Sequence, residues 1–184
     1  MKRSKIVFTL ILLVFSTIVL AFVASVGPSV VDRKVSFGYK LANPPRTIDA
    51  IIIHSTYNAS GRDSFNVDSC IKQFQTYQVS AHYIIDRLGV IYRLVDEKDI
   101  SFHAGKSSLP DGRTKVNDCS IGIEIITTKK SSPTEAQYKS LVGLVKDIKS
   151  RYSIKYIQGH EQIAPGRKTD PWNFDWGKFN SMIQ

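Results

Sequence analysis

Four histidines, His54, His82, His103 and His160, are the residues of this chain best suited to metal or acid–base chemistry. A single histidine is more often a packed or surface residue than a ligand, so position has to argue for it. His54 closes the apolar run Ala50-Ile51-Ile52-Ile53 and leads into Ser55-Thr56. His160 closes a second run, after Gly159. The ends of adjacent strands converge on one rim of a sheet, where α/β proteins place their sites. Asp170 follows in Arg167-Lys168-Thr169-Asp170-Pro171, on a loop long enough to fold back. Two imidazoles and one carboxylate form a catalytic zinc set, with the fourth tetrahedral position left for water. Spacing alone also allows three unrelated polar residues, because no contiguous His-Glu-x-x-His is present.

The elements that must position these groups follow from local pattern. Ala50–Ser55 is the short β-rich run of a strand buried on both faces. The spacing predicts a helix over Val67–Tyr77, with Ile71 and Phe74 on one face. Ala81–Asp86 and Val90–Val95 read as two strands joined by the turn Arg87-Leu88-Gly89. Ser120–Ile126 is a further strand, on which Ile121, Ile123 and Ile125 share one face and Gly122, Glu124 and Ile126 the other. Glu124 thus sits beside a glycine, where room for a substrate is expected. Ser132-Pro133-Thr134-Glu135 reads as a capping box with Pro133 at the first helical position. The helix it starts carries Leu141, Leu144, Val145 and Ile148 as an apolar stripe. Ile154–Gln158 is a last strand, followed by a short aromatic helix around Phe174–Phe179. Strands alternating with helices predict an α/β domain with a mixed sheet.

Six pieces in this order resemble one family. They are Ile53-His54-Ser55-Thr56, Ser80-Ala81-His82-Tyr83 with the strand-turn-strand to Tyr92, His103-Ala104-Gly105, Ser120-Ile121-Gly122-Ile123-Glu124, Gly159-His160, and Ile163-Ala164-Pro165-Gly166-Arg167-Lys168-Thr169-Asp170-Pro171. Together they are similar to the zinc-dependent N-acetylmuramoyl-L-alanine amidases of the AmpD type, which share a fold with peptidoglycan recognition proteins. The likeness spans roughly Ile51 to Trp176. It implies a central mixed sheet flanked by helices, and cleavage of the amide between N-acetylmuramic acid and L-alanine. It assigns zinc to His54, His160 and Asp170, and catalytic roles to Glu124 as general base and acid and to Lys168 at the oxyanion. His82, His103 and Arg167 are expected as substrate-binding residues of the pocket wall; His82 also reads as a hydrogen-bonded core histidine, and Arg167 as a partner for a substrate carboxylate or a surface ion pair. Trp172 stands where the family usually has glycine. The rival within the same fold is a non-catalytic peptidoglycan-binding protein, which typically lacks a zinc ligand.

Composition narrows the remaining classes. At 42% hydrophobic and 22% charged residues the chain is neither a disordered tail nor a collagen-like repeat. Two cysteines, Cys70 and Cys119, exclude a four-thiolate zinc site. They could form one bridge in an oxidising compartment, which spacing does not establish. A formal charge of +9 favours anionic partners, and cell wall fits better than nucleic acid, for which no motif is visible. Ile6–Val26 carries no charge and follows Lys2, Arg3 and Lys5. At about 1.5 Å per helical residue it reaches the roughly 30 Å of a bilayer core. The cationic flank stays in the cytoplasm and the rest is sent across. We therefore expect residues 1–26 to be a transmembrane or signal helix, with an uncleaved anchor favoured over a cleaved signal peptide. Residues 27–48 read as a linker and 49–184 as the amidase domain. The expected protein is a monomer, held at the membrane or secreted, that acts on peptidoglycan or muropeptides outside the cytoplasm.

Overall fold

The computed structural model describes residues 27–184. Its strands are β1 (Val30–Asp32), β2 (Tyr39–Lys40), β3 (Ala50–Thr56), β4 (Tyr83–Ile85), β5 (Ile91–Arg93), β6 (Ile100–Ser101), β7 (Ser120–Ile126) and β8 (Tyr156–Gly159). Its α-helices are α1 (Val67–Tyr77), α2 (Glu135–Arg151), α3 (His160–Ile163) and α4 (Trp176–Ile183). Among the described residues, six strands form one mixed sheet in the order β1-β5-β4-β7-β3-β8, and β2 pairs with β6 apart from it. The α/β class and the mixed sheet are as the alternation predicts.

The central strands β3 and β7 are parallel and paired along their full length, Ala50 with Ser120 through Thr56 with Ile126. Every residue of β3 is buried, as expected for a strand with parallel neighbours covered on both faces. Period-two alternation then divides the core. Ile51, Ile53, Ile121, Ile123 and Ile125 face Leu141, Leu144, Val145 and Ile148 of α2 and Phe179 of α4. The opposite face carries two separate apolar clusters. One gathers Ala50 and Ile52 with Leu109, Val116 and Ile163. The other places Ile84 and Ile126 under Cys70 and Phe74 of α1. Between these clusters the same face is polar, and the candidate site lies there.

Local detail corrects several expectations. Residues 27–48 are not a linker throughout: β1 joins the sheet edge parallel to β5, and Val35, Phe37 and Tyr39 pack on the core beneath α1. The capping box sits two residues later than predicted. Thr134 Oγ1 accepts the Gln137 N–H at 3.1 Å, and Gln137 Oε1 accepts the Thr134 N–H at 3.0 Å. Gln137 is buried and also donates to the Ile85 and Ile126 carbonyls, so docking on the sheet selects this start. The last helix begins at Trp176 because Asp175 caps it, accepting from Lys178 N at 2.9 Å. Cys70 and Cys119 are both free thiols. Among the described residues no helix is long and apolar enough to cross a membrane. The apolar run expected to do so lies outside them.

Candidate metal centre

His54 leaves β3 on the polar face, and β8, paired to β3 on its other side, delivers His160 next to it. His160 does not end the strand, as the sequence suggested; it opens α3 immediately after Gly159. The following loop returns Asp170, whose backbone carbonyl accepts the Glu161 N–H at 2.8 Å. His54 Nδ1 lies 2.9 Å from His160 Nδ1. Asp170 Oδ2 lies 3.4 Å from the first and 3.2 Å from the second. All three residues are buried, and their ligand atoms form a compact group suited to a metal ion.

The protonation chemistry of this group fits a cation. His160 Nε2 lies 3.2 Å from the Ala104 carbonyl, which can only accept, so Nε2 carries the proton and Nδ1 a lone pair. Burial pushes His54 down to about 4, against the opposing pull of Asp170, and so keeps it neutral at pH 7. Asp170 turns Oδ2 toward both bare Nδ1 atoms. Neutral imidazole lone pairs and an ionised carboxylate converging on one point are the deprotonated donors a metal requires.

Glu124 comes from β7, at the register position beside His54. Its Oε2 is shut off from solvent and has no hydrogen-bond partner. Burial, helped by the Asp170 charge and opposed by Lys168, raises its pKa well above 4.5. Glu124, His54, His160, Asp170 and Lys168 line one cleft of about 280 Å³, with Trp172 on its wall. Lys168 and Arg167 also line an adjoining hollow with Ala104 and Gly105. The geometry thus gathers the acid, the lysine and the three metal-ligand candidates at one cleft. A larger groove of about 850 Å³ runs between Gly27–Val31 and α2, but no histidine, cysteine or glutamate lines it.

Some of the remaining expectations need correction. His82 is not a pocket-wall residue. It is wholly buried, with Nδ1 accepting the Gly122 N–H at 3.0 Å and Nε2 donating to the Asp99 carbonyl at 3.1 Å. Burial and the nearby Arg46 push its pKa down to about 3. His103 does line the cleft, but its Nδ1 faces His54 Nε2 at 3.0 Å. The room beside Gly122 is filled by the His103 ring and is not left for substrate. The Arg167 guanidinium donates to the Ala104 and Lys106 carbonyls and has no ion-pair partner among the described residues. Sequence reasoning missed Asn117, whose Oδ1 accepts from both His103 N and Ala104 N. It also missed Ser120, although Ser120 shares a strand face with Gly122 and Glu124. Trp172, the departure from the family pattern, sits against Tyr57 at the cleft wall with ring centroids 5.6 Å apart.

With this geometry in place, comparison with known proteins is decisive about kinship. The model of the N-acetylmuramoyl-L-alanine amidase family Amidase_2 matches residues 44–173. The chain belongs to this amidase family. Within it, the chain is 41% identical over 109 residues to the 1,6-anhydro-N-acetylmuramyl-L-alanine amidase AmpD of Citrobacter freundii, covering 58% of each chain. The match thus spans less than two thirds of that curated relative. A crystal structure of a selenomethionine AmpD derivative superimposes with a TM-score of 0.72 at 31% identity, over 83% of this chain and 94% of that one. The amidase AmiD of Escherichia coli, solved with the substrate anhydro-N-acetylmuramic acid-L-Ala-D-gamma-Glu-L-Lys, gives a TM-score of 0.65 at 31% identity over 78% of this chain and 60% of that one.

Proposed function

We propose that this protein is a zinc-dependent N-acetylmuramoyl-L-alanine amidase that hydrolyses the lactyl–L-alanine amide of peptidoglycan or its fragments. The observation that carries the reading is the unpartnered, buried Oε2 of Glu124 at the same cleft as the His54–His160–Asp170 group. His54 Nδ1, His160 Nδ1 and an Asp170 oxygen would hold the zinc. Bound there, zinc supplies Lewis acidity and brings the pKa of a water to about 7. Glu124 takes the proton of the attacking water and later passes it to the leaving amine, a task that suits a carboxyl whose pKa burial has raised. Lys168, which lines the same cleft, would serve as a point charge for the oxyanion.

Support for the substrate class comes from the AmpD and AmiD relatives, one of them solved with a muropeptide substrate. The non-catalytic recognition reading is less favoured, because all three ligand candidates and Glu124 are present. The apolar Ile6–Val26 run supports a domain tethered to the outer side of the cytoplasmic membrane, or secreted. The test is mass spectrometry of products from purified sacculi and from soluble muropeptides. Release of free peptide beginning with L-alanine is expected from at least one of them, and from neither once zinc is chelated. Intact amide in both would overturn the proposal.

A further inference from the structure

His54 turns Nδ1 toward His160 and Asp170, and Nε2 toward His103 Nδ1 at 3.0 Å. His103 Nε2 lies 3.2 Å from Ser120 Oγ, which lies 2.6 Å from the Val116 carbonyl. The carbonyl at the end sets the direction of the whole chain. It only accepts, so the Ser120 hydroxyl gives its proton there and its lone pairs receive the His103 Nε2–H. With one proton on each ring, His103 Nδ1 then bears a lone pair and takes the His54 Nε2–H. The result is a bare His54 Nδ1 facing the cluster.

His160 is held in the same tautomer by the next residue of the same loop, since its Nε2–H meets the Ala104 carbonyl at 3.2 Å. Asn117 Oδ1 clamps this loop by accepting the backbone N–H groups of His103 and Ala104 at 3.1 and 2.8 Å. Arg46 in turn holds Asn117 through its carbonyl at 2.7 Å. The sheet makes room for the device: a Cβ on Gly122 would lie 2.5 Å from Cγ of the His103 ring, so any larger residue there would drive the ring away.

We infer that His103 is a positioning residue for the metal centre, holding His54 through Nδ1 in the tautomer that leaves its Nδ1 free for zinc. The inference rests on the zinc reading above. Partners of this kind, behind a metal-ligating histidine, are typically worth 10–100-fold in metal affinity.

The test compares the full chain with its His103→Ala, His103→Asn and Ser120→Ala variants. Zinc affinity is read by chelator competition, and imidazole tautomers by long-range ¹H–¹⁵N spectra of the zinc-free proteins. The wild type should show His54 as a single Nε2–H tautomer. His103→Ala should lose about 10–100-fold in zinc affinity and leave His54 in mixed tautomers. His103→Asn, whose Oδ1 stands where Nδ1 did, should recover part of both. Ser120→Ala should weaken zinc several-fold without touching either ring, which keeps the test alive if His103→Ala does not fold. Wild-type affinity in a folded His103→Ala or in Ser120→Ala, or equal losses in His103→Ala and His103→Asn, would overturn the inference. A wild type that binds no zinc would count against the metal reading, while the tautomer spectra would still test the role of His103.

Discussion

His54 and Glu124 occupy paired positions on the adjacent parallel strands β3 and β7. Paired residues on neighbouring strands project from the same face of a sheet. A metal-ligand candidate and a candidate proton carrier are therefore set side by side by backbone pairing, without a loop between them. Rigid strands hold such geometry better than loops do.

Glu124→Gln should separate zinc binding from turnover. Glutamine keeps the shape but cannot take a proton, and acid–base help is typically worth about 10²–10⁴-fold in rate. We expect wild-type zinc content and amide cleavage lowered by at least about a hundredfold. The measurement is turnover per bound zinc on one muropeptide. Equal turnover in the two proteins would remove Glu124 from the mechanism.

The same substitution should also change the stability of the zinc-free protein with pH. The folded-state pKa of Glu124 is raised by burial above its ordinary 4.5. Its contribution to stability is thus intact below about that value and is lost as pH rises through the folded pKa. Zinc-free Glu124→Gln should match the wild type near pH 4 and become the more stable of the two at pH 8. Parallel urea midpoints across this range would contradict the account.

Metal loss should follow the cluster and not every histidine. Replacing His54, His160 or Asp170 by alanine should each remove most of the zinc, as measured by elemental analysis. His82→Ala should keep the metal yet destabilise the fold, because the buried Gly122 N–H and Asp99 carbonyl lose their partner. Each group left unsatisfied costs about 1–3 kcal/mol. Metal loss in a folded His82→Ala would reverse the assignment.

Glu97 should give the opposite pH signature to Glu124. Burial disfavours its charge, but hydrogen bonds from Arg151, Tyr83 and Tyr152 outweigh that and lower its pKa below 4.5. Tyr83 Oη donates at 2.8 Å and Tyr152 Oη at 3.0 Å. The stabilisation is present above the ordinary carboxylate pKa and disappears as pH falls through the lowered one. Glu97→Gln should cost about 1–3 kcal/mol at pH 7, and the gap should shrink in acid. Denaturant melts at pH 7 and pH 3 compare the two; a gap that does not change with pH would show that Glu97 acts by packing alone.

Topology is tested independently of chemistry. A reporter that works only outside the cytoplasm, fused after Gln184, should be active if Ile6–Val26 carries the domain across the membrane. Activity of a reporter restricted to the cytoplasm would reverse that reading.

What the sequence determined by itself was whatever depends on neighbours along the chain. An unbroken apolar run marked the strand around Ile51–Ile53, and alternation split β7 into an isoleucine face and the Glu124 face. Helical spacing marked Leu141, Leu144, Val145 and Ile148, and the residue types in order pointed to His54, His160 and Asp170. Tertiary structure decided what depends on neighbours across the sheet. No local pattern reveals that residues of an apparent linker would supply β1 alongside β5. Nor does one reveal that the space beside Gly122 belongs to the ring of His103, or that His82 would be sealed between Gly122 and Asp99. Periodicity assigns a side chain to a face, whereas the strand order β4-β7-β3-β8 decides which side chains meet there. That order is set by burial summed over the whole sheet, so the roles of the two inner histidines could be read only after the strands had been placed.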